Sequence, residues 1–365
     1  MVLPTDWRHG MSRPITTFNE FRDAVSAYRL PVVLLATLEL DLCTVVGNRT
    51  WTISSLAKEL RVSERGLAIL CRNLAMAGLL IKKGANYKNS QLGATALNAN
   101  HAAYRGGYVD LLKSHWGDWC RLRESIRTGL PIDHDVPDSL DWRRQFTWAM
   151  HHRTLEIAPA ITAQVKLGGA GTLLDLGGGP GTYALAFLAH NPQLRATVCD
   201  RDAALDVARE VAATHKSGRR LSYLPLDFTK EPIPGTYDVI WYSNVLHIYS
   251  PEDNQVIFRR ALAALAPGGR LIIQDAFLHD REGLFPADAS LFAVSMLLFT
   301  KRGDTYSAAE VKRWLSDAGF SQVKSLHIKK STEDWENGIL VALASESRPK
   351  MNARRTRSRG SSNSH

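Results

Sequence analysis

Apolar positions follow two different periods along this chain, and the change between them near residue 170 sets the architecture. From residue 32 to about residue 97 apolar side chains recur at helical spacing. Residues 32–40 read as a helix, 52–60 and 63–77 as two shorter ones with Ser54 and Ser63 as natural N-caps, and 79–88 as a hairpin. From Thr172 onward short apolar runs take over. Residues 172–176, 194–200, 221–226, 237–242 and 271–275 read as strands, with helix signals over 183–190 and 203–213. Pro267-Gly268-Gly269 reads as a tight turn into the last strand. Strands that alternate with helices call for a mostly parallel sheet covered on both faces. The expected fold is a doubly wound α/β domain preceded by a mostly α-helical domain of winged-helix pattern, with ligands at the carboxyl edge of the sheet.

The most informative segment lies at that edge. The strand Thr172–Leu176 runs into Gly177-Gly178-Gly179-Pro180-Gly181, a turn with almost no side chains. Glycine tolerates positive φ and has no Cβ, so a polar ligand can lie against the main chain where the next helix presents free N–H groups. A phosphate loop is excluded because no Gly-Lys-Ser/Thr ending follows, and the dinucleotide fingerprint fails because Thr182 stands where its third Gly or Ala belongs. Asp200 ends the second strand, where a carboxylate can accept both hydroxyls of a ribose or cap the helix that follows. Asp227-Phe228 ends the third. An Asp beside an aromatic face suits an adenine ring, although a surface turn has the same composition. His247 follows the fourth strand, one βα unit beyond, and Asp275 ends the fifth. A histidine there can remove a proton from an incoming hydroxyl or only position it.

The string Asp175-Leu176-Gly177-Gly178-Gly179-Pro180-Gly181 resembles motif I of the class I S-adenosylmethionine-dependent methyltransferases. The stretch from Asn244 to Asp253 is similar to the catalytic segment of the plant-type and bacterial small-molecule O-methyltransferases, the caffeate and hydroxyindole O-methyltransferase group. The resemblance covers roughly residues 25–345. It implies a Rossmann-like domain whose S-adenosyl-L-methionine is held by Asp175, Gly177, Gly178, Gly179, Gly181, Asp200, Asp227, Phe228 and Ser243. It makes His247 the general base for the acceptor hydroxyl and Asp275 the acid that orients it. The family usually reads His-Asp-Trp where this chain reads His247-Ile248-Tyr249, and a second family Glu falls on Thr305, with Asp304 beside it. A thioether acceptor, which has no proton to lose, needs no complete base set. S-methylation of 4-methylthio-2-hydroxybutyrate, or C- or N-methylation, therefore stands as the alternative to O-methylation.

The resemblance also places the acceptor pocket. Linking helices rich in aromatics roof it, with Tyr104, Phe146 and Met150 as contacts from that side, Asn244 from the sheet edge, and Phe292 and Met296 from the apolar helix 289–299. Arg143, Arg144 and Arg153 lie near and can hold an acceptor carboxylate or line a solvated helix face. A winged helix can also bind DNA, and Arg65, Arg72, Lys82, Lys83 and Lys88 are basic. Its would-be recognition helix carries Leu67, Ile69, Leu70, Leu74 and Met76 and only two arginines, the pattern of a packing helix. The family uses this domain for dimerisation, so a homodimer without specific nucleic-acid binding is expected, and a non-catalytic winged-helix regulator is the competing class.

Composition narrows the rest. A chain of 365 residues that is 45% hydrophobic can build two cores. Six of its nine net positive charges come from Arg348, Lys350, Arg354, Arg355, Arg357 and Arg359 in a tail without acids, where residues 351–365 have too few apolar side chains to bury and should be disordered. Cys43, Cys71, Cys120 and Cys199 form no Cys-x-x-Cys pair, and the histidines lack ligand spacing, so neither a metal nor a disulfide framework is expected. Residues 1–10 lack a signal-peptide core and no apolar run reaches the roughly 20 residues of a membrane span, which points to a cytoplasmic enzyme without membrane attachment. The expected division is an N-terminal extension 1–14, a dimerisation domain 15–103, linking helices 104–165, a cofactor-binding domain 166–346 and a basic tail 347–365.

Overall fold

The structure, a computed structural model, describes residues 14–132, 140–280, 282–328 and 338–346. The basic tail and all but residue 14 of the N-terminal extension lie outside the described residues. The N-terminal third carries helices α1 (Phe18–Ser26), α2 (Arg29–Glu39), α3 (Leu42–Val46), α4 (Ile53–Leu60), α5 (Glu64–Met76) and α6 (Gln91–Thr95). Strands β1 (Trp51–Thr52), β2 (Leu80–Lys83) and β3 (Asn86–Asn89) form an antiparallel sheet in the order β1-β3-β2. Leu56, Leu67, Cys71 and Leu74 of α4 and α5 close over this sheet with Leu80 and Tyr87. Ser63 caps α5 as expected, its hydroxyl accepting from the Gly66 N–H. Ser54 does not cap α4. That role belongs to Thr52, which accepts from the Ser55 N–H, and Ser54 sits inside the helix with its hydroxyl on Glu64 at 2.8 Å.

Among the described residues, the two halves are linked by α7 (Gly106–Ser114), α8 (Trp116–Cys120), α9 (Leu122–Thr128), α10 (Leu140–Thr154) and α11 (Ile157–Thr162). The second half is built on strands β4 (Thr172–Leu176), β5 (Arg195–Asp200), β6 (Leu221–Pro225), β7 (Tyr237–Ser243), β8 (Leu265–Asp275), β9 (Ser321–Leu326) and β10 (Gly338–Leu343). Helices α12 (Thr182–His190), α13 (Asp202–Thr214), α14 (Pro251–Ala264), α15 (Ala287–Phe299) and α16 (Ala308–Asp317) complete it. Among the described residues the sheet order is β6-β5-β4-β7-β8-β10-β9. The pairs from β6 to β8 are parallel, and β10 and β9 close the far edge antiparallel.

Alternation along the strands sorts the two faces. Leu174, Leu176, Ile240, Tyr242, Leu271 and Ile273 pack under α14 and α16. Leu173, Val198, Val239, Trp241 and Ile272 pack under α11, α12 and α13. Pro267, Gly268 and Gly269 lie inside β8, because the β7–β8 register jumps from Tyr237↔Leu265 to Val239↔Arg270, so they form a bulge rather than the turn expected ahead of the strand. The chain order reverses between β4 and β7. At that switch point crevices open at the carboxyl edge.

Candidate active site

The glycine turn leaves β4 and is pinned from below. The Gly177 N–H donates to the Cys199 carbonyl at 2.8 Å, and Gly177, Gly179 and Gly181 all have positive φ. A Cβ at Gly178 would come within 2.5 Å of the Asp175 carboxyl, and one at Gly177 within 2.8 Å of Val245. At Gly179 a Cβ would meet nothing within 4 Å. The turn is therefore packed against the protein on its inner side and open at Gly179, the form a backbone cradle for a polar ligand requires. Asp175 is buried beneath it, accepting from the Ala184 N–H at 3.2 Å, and burial pushes its carboxyl up to about 7.

Asp200 closes the side of this cradle. One carboxylate oxygen accepts from the Gly179 N–H at 2.9 Å and the other from the Arg201 N–H at 2.7 Å, while burial raises its pKa. A carboxylate offers about four acceptor sites, so these bonds leave room for ribose hydroxyls. Arg201, not Asp200, is the N-cap residue of α13. Asp227 accepts from the Thr229 hydroxyl and N–H and pairs with Lys230 at 3.0 Å, which holds its carboxyl below the usual range. The Phe228 ring is buried edge-on to Tyr249, with centroids 6.2 Å apart. Its carbonyl accepts from Arg260 of α14 at 2.9 Å, and the same guanidinium takes the Lys230 carbonyl at 2.8 Å. Ser243 donates to Gln274 at 2.9 Å, and Asn244, at φ 55, donates its side-chain amide to Ser243 at 3.0 Å. These residues fit an adenosyl ligand: an open backbone cradle, a carboxylate beside it and an aromatic wall.

His247 lies on a single 3-10 turn, Leu246–Ile248, that follows β7. The imidazole is buried, and its Nδ1 is 2.8 Å from Asp275 Oδ1. That oxygen also accepts from the Ala276 N–H at 2.7 Å. A carboxylate can only accept, so Nδ1 carries the hydrogen and Nε2 keeps a free lone pair, the tautomer a base needs. The Phe292 ring of α15 stands edge-on to the imidazole with centroids 4.8 Å apart, and Met296 is buried one turn further along α15. Among the described residues, the second family acid has no side-chain counterpart bonded to the ring beside Asp275. Asp304 holds His247 through its main chain, donating its N–H to the His247 carbonyl at 3.0 Å, and Thr305 is buried with a hydroxyl that has no hydrogen-bond partner.

Phe146 stacks on Trp142 with centroids 5.3 Å apart, and Met150 is half-buried on the same helix. Tyr104 is brought edge-on to His152, with centroids 5.8 Å apart. Arg144 is engaged by Glu210 of α13 at 2.6 Å. His151, which the sequence did not single out, joins the roof helix to the cofactor edge, with Nδ1 2.9 Å from the Thr182 hydroxyl, and burial lowers its pKa to about 4. The failed third glycine of the dinucleotide pattern was the available signal, because the residue placed there now has a structural partner.

A glycine-turn cradle, an acid at the second strand and a His–Asp pair at the same edge of a doubly wound sheet define a Rossmann-like S-adenosylmethionine-dependent methyltransferase acting on a small molecule. Residues 128–321 match the family model described as an O-methyltransferase domain. The chain is 29% identical over 324 residues to a 3-hydroxy-5-methyl-1-naphthoate 3-O-methyltransferase of Streptomyces sahachiroi, covering 85% of this chain and 90% of that one. It is 30% identical over 304 residues to a mitomycin biosynthesis 6-O-methyltransferase of Streptomyces lavendulae, covering 79% and 85%. An O-methyltransferase family protein from Burkholderia thailandensis shares the fold with a TM-score of 0.80 at 24% identity, covering 92% of this chain and all of that one. The chain belongs to this O-methyltransferase family.

Proposed function

We propose that the protein methylates a hydroxyl on a planar aromatic small molecule, with His247 as general base and Asp275 as the acid that fixes it. The observation that carries this reading is the 2.8 Å bond between His247 Nδ1 and Asp275, which leaves Nε2 as the acceptor of the hydroxyl proton. S-adenosylmethionine supplies a methyl carbon made electrophilic by its sulfonium. The chain's own residues align the acceptor oxygen, take its proton on Nε2 and keep water away with Phe292 and Met296. Alignment is worth more than any single bond here, since an in-line displacement depends on the distance and angle between donor and acceptor. Gly177 to Gly181, Asp200, Asp227 and Phe228 hold the donor. Phe146, Met150, Phe292 and Met296 wall the acceptor, and their aromatic character supports a flat ring system. Two relatives are named as O-methyltransferases, one of a 3-hydroxynaphthoate and one of mitomycin biosynthesis, which supports oxygen over sulfur as the accepting atom.

The test is transfer from labelled S-adenosylmethionine into a panel of phenols, hydroxynaphthoates, hydroxy acids and methylthio acids, with product mass locating the methyl. A methylated phenol is expected. A sulfonium product would refute the base assignment, because a thioether has no proton to lose, and a C-methylated product would refute oxygen as the accepting atom. His247→Ala should leave donor affinity within a few-fold and lower turnover by ~100-fold or more, the upper part of what a positioned base contributes.

The assembly expected is a homodimer through the N-terminal third. Helix α1 buries none of its residues, and Phe18, Phe21, Val25 and Tyr28 stand exposed along it and just beyond its end, an uncovered apolar strip of the kind that marks an interface. Light scattering should give twice the chain mass, and Phe21→Glu should shift it toward the monomer. Duplex binding that survives removal of residues 347–365 would instead favour a regulator. No helix among the described residues is long and apolar enough to cross a membrane.

A further inference from the structure

The two residues after His247 bring no acid or indole to the site, yet the base sits on a single turn that something must hold. Asn254, in the first half of α14, is fully buried. Its amide nitrogen lies 2.9 Å from the Leu246 carbonyl, 3.0 Å from that of Tyr249 and 3.1 Å from that of Ser250. Its amide oxygen accepts from the Tyr242 hydroxyl at 3.2 Å. The orientation is fixed by chemistry, because a flipped amide would set its oxygen against three carbonyl oxygens. The bonds grip the chain immediately before and two residues after His247, and through Tyr242 they tie that turn to β7. From the other side the Tyr306 hydroxyl donates to the Tyr249 carbonyl at 2.7 Å.

We infer that Asn254 is a positioning residue of the transfer: it sets the direction of the His247 imidazole through the main chain on both sides of it. Asp275 fixes the rotation of the ring about its own bonds, and Asn254 fixes the turn that carries those bonds. The inference rests on His247 being the base. Loss of the grip lets the turn relax, and a displacement near 1 Å at reacting groups costs about 100-fold in rate.

Asn254→Ser removes most of the grip, and Tyr242→Phe removes only the bond that anchors the amide oxygen. Each is measured for turnover on the phenol or hydroxynaphthoate that the transfer panel identifies, for S-adenosylmethionine affinity by calorimetry, and for the far-downfield proton resonance of His247 Nδ1–H, identified by its loss in His247→Ala. Asn254→Ser is expected to lower kcat ~10- to 100-fold, to leave donor affinity within about twofold and to move or broaden that resonance. Tyr242→Phe should act in the same direction by a smaller factor, and it carries the test if the serine variant does not fold. Folded variants with unchanged kcat and an unmoved resonance would overturn the inference. If His247→Ala itself keeps full turnover, the base assignment falls instead, while the resonance still reports whether Asn254 holds the ring.

Discussion

Replacing Asp275 by Asn separates what its charge contributes from what its shape contributes. In the wild type Oδ1 accepts from both His247 Nδ1–H and the Ala276 N–H, so an asparagine keeps its oxygen there and turns its nitrogen into the Oδ2 position. Oδ2 is buried and has no hydrogen-bond partner. The bond to the imidazole therefore survives with its tautomer intact, and only the negative charge that stabilises the imidazolium in the transition state is lost. Bonds to charged groups contribute about 1.5–3 kcal/mol and neutral ones about 0.5–1.5, so the difference is about 1–2 kcal/mol. That predicts a fall in kcat of roughly 5- to 30-fold with KM for the acceptor little changed, because the charge acts after the proton has moved. Stability should move the other way or not at all, since a buried amide nitrogen without a partner costs less than a buried carboxylate oxygen without one. Initial rates with saturating donor and a thermal melt on the same preparation measure both. A loss above ~1000-fold would mean the asparagine sits with its nitrogen toward the ring, and no loss at all would mean the imidazole never becomes charged.

Two further outcomes follow from groups around the donor cradle. Arg260→Ala removes the fork that holds the Phe228 and Lys230 carbonyls, and at about 1–2 kcal/mol for a half-exposed charged pair of bonds it should weaken S-adenosylmethionine binding ~5- to 30-fold in calorimetry. Arg260→Lys should fall between, because one ammonium cannot reproduce the fork; wild-type affinity in a folded alanine variant would show that Phe228 needs no such support. The second concerns pH. Burial holds the Asp175 carboxyl protonated up to about 7, whereas the unfolded chain releases that proton near 3.8, so the folded state binds more protons between these values. Its contribution to stability is therefore lost progressively as pH rises from about 4 to about 7. Asp175→Asn, which keeps an oxygen for the Ala184 N–H, should flatten that slope in denaturant melts across the window. A variant with the wild-type slope would locate the titration elsewhere.

Local patterns carried most of the architecture. The apolar runs at 172–176, 194–200 and 237–242 became β4, β5 and β7 within a residue or so because each is an inner parallel strand with a neighbour on both sides, where sequence and environment agree, and the run at 221–226 became β6, the parallel edge strand. The reading failed where a local rule had two nearly equal solutions. Thr52 and Ser54 can both cap a helix, and only the start of β1 at Trp51 decides that the chain turns at Thr52. Pro267-Gly268-Gly269 has turn composition, but β7 continues alongside it, so the glycines became a bulge within one strand. At the candidate site, His247 and Asp275 could be placed together from sequence because one follows β7 and the other ends the neighbouring strand β8, at one edge of one sheet.

What holds that pair was not legible, for a physical reason. A catalytic side chain must meet a ligand, which restricts its type and its place along the chain. A residue that holds a loop only has to present donors to carbonyls, and every loop has carbonyls. Nothing in the run from His247 to Asp253 marks the next residue, Asn254, as different from any polar residue in the first turns of a helix. Its importance appears only when the turn folds back so that three carbonyls converge on one amide. The same holds for Arg260, whose two acceptors lie 30 and 32 residues away. Both residues are on α14, so a single helix, packed on the sheet through Ile257, Phe258 and Ala261, braces the base turn near its start and the adenine-side turn two turns later. On the function proposed above, donor and acceptor machinery are thereby referred to one rigid element. This is an economical way to keep a displacement in line when the two reacting partners are held by loops from different strands.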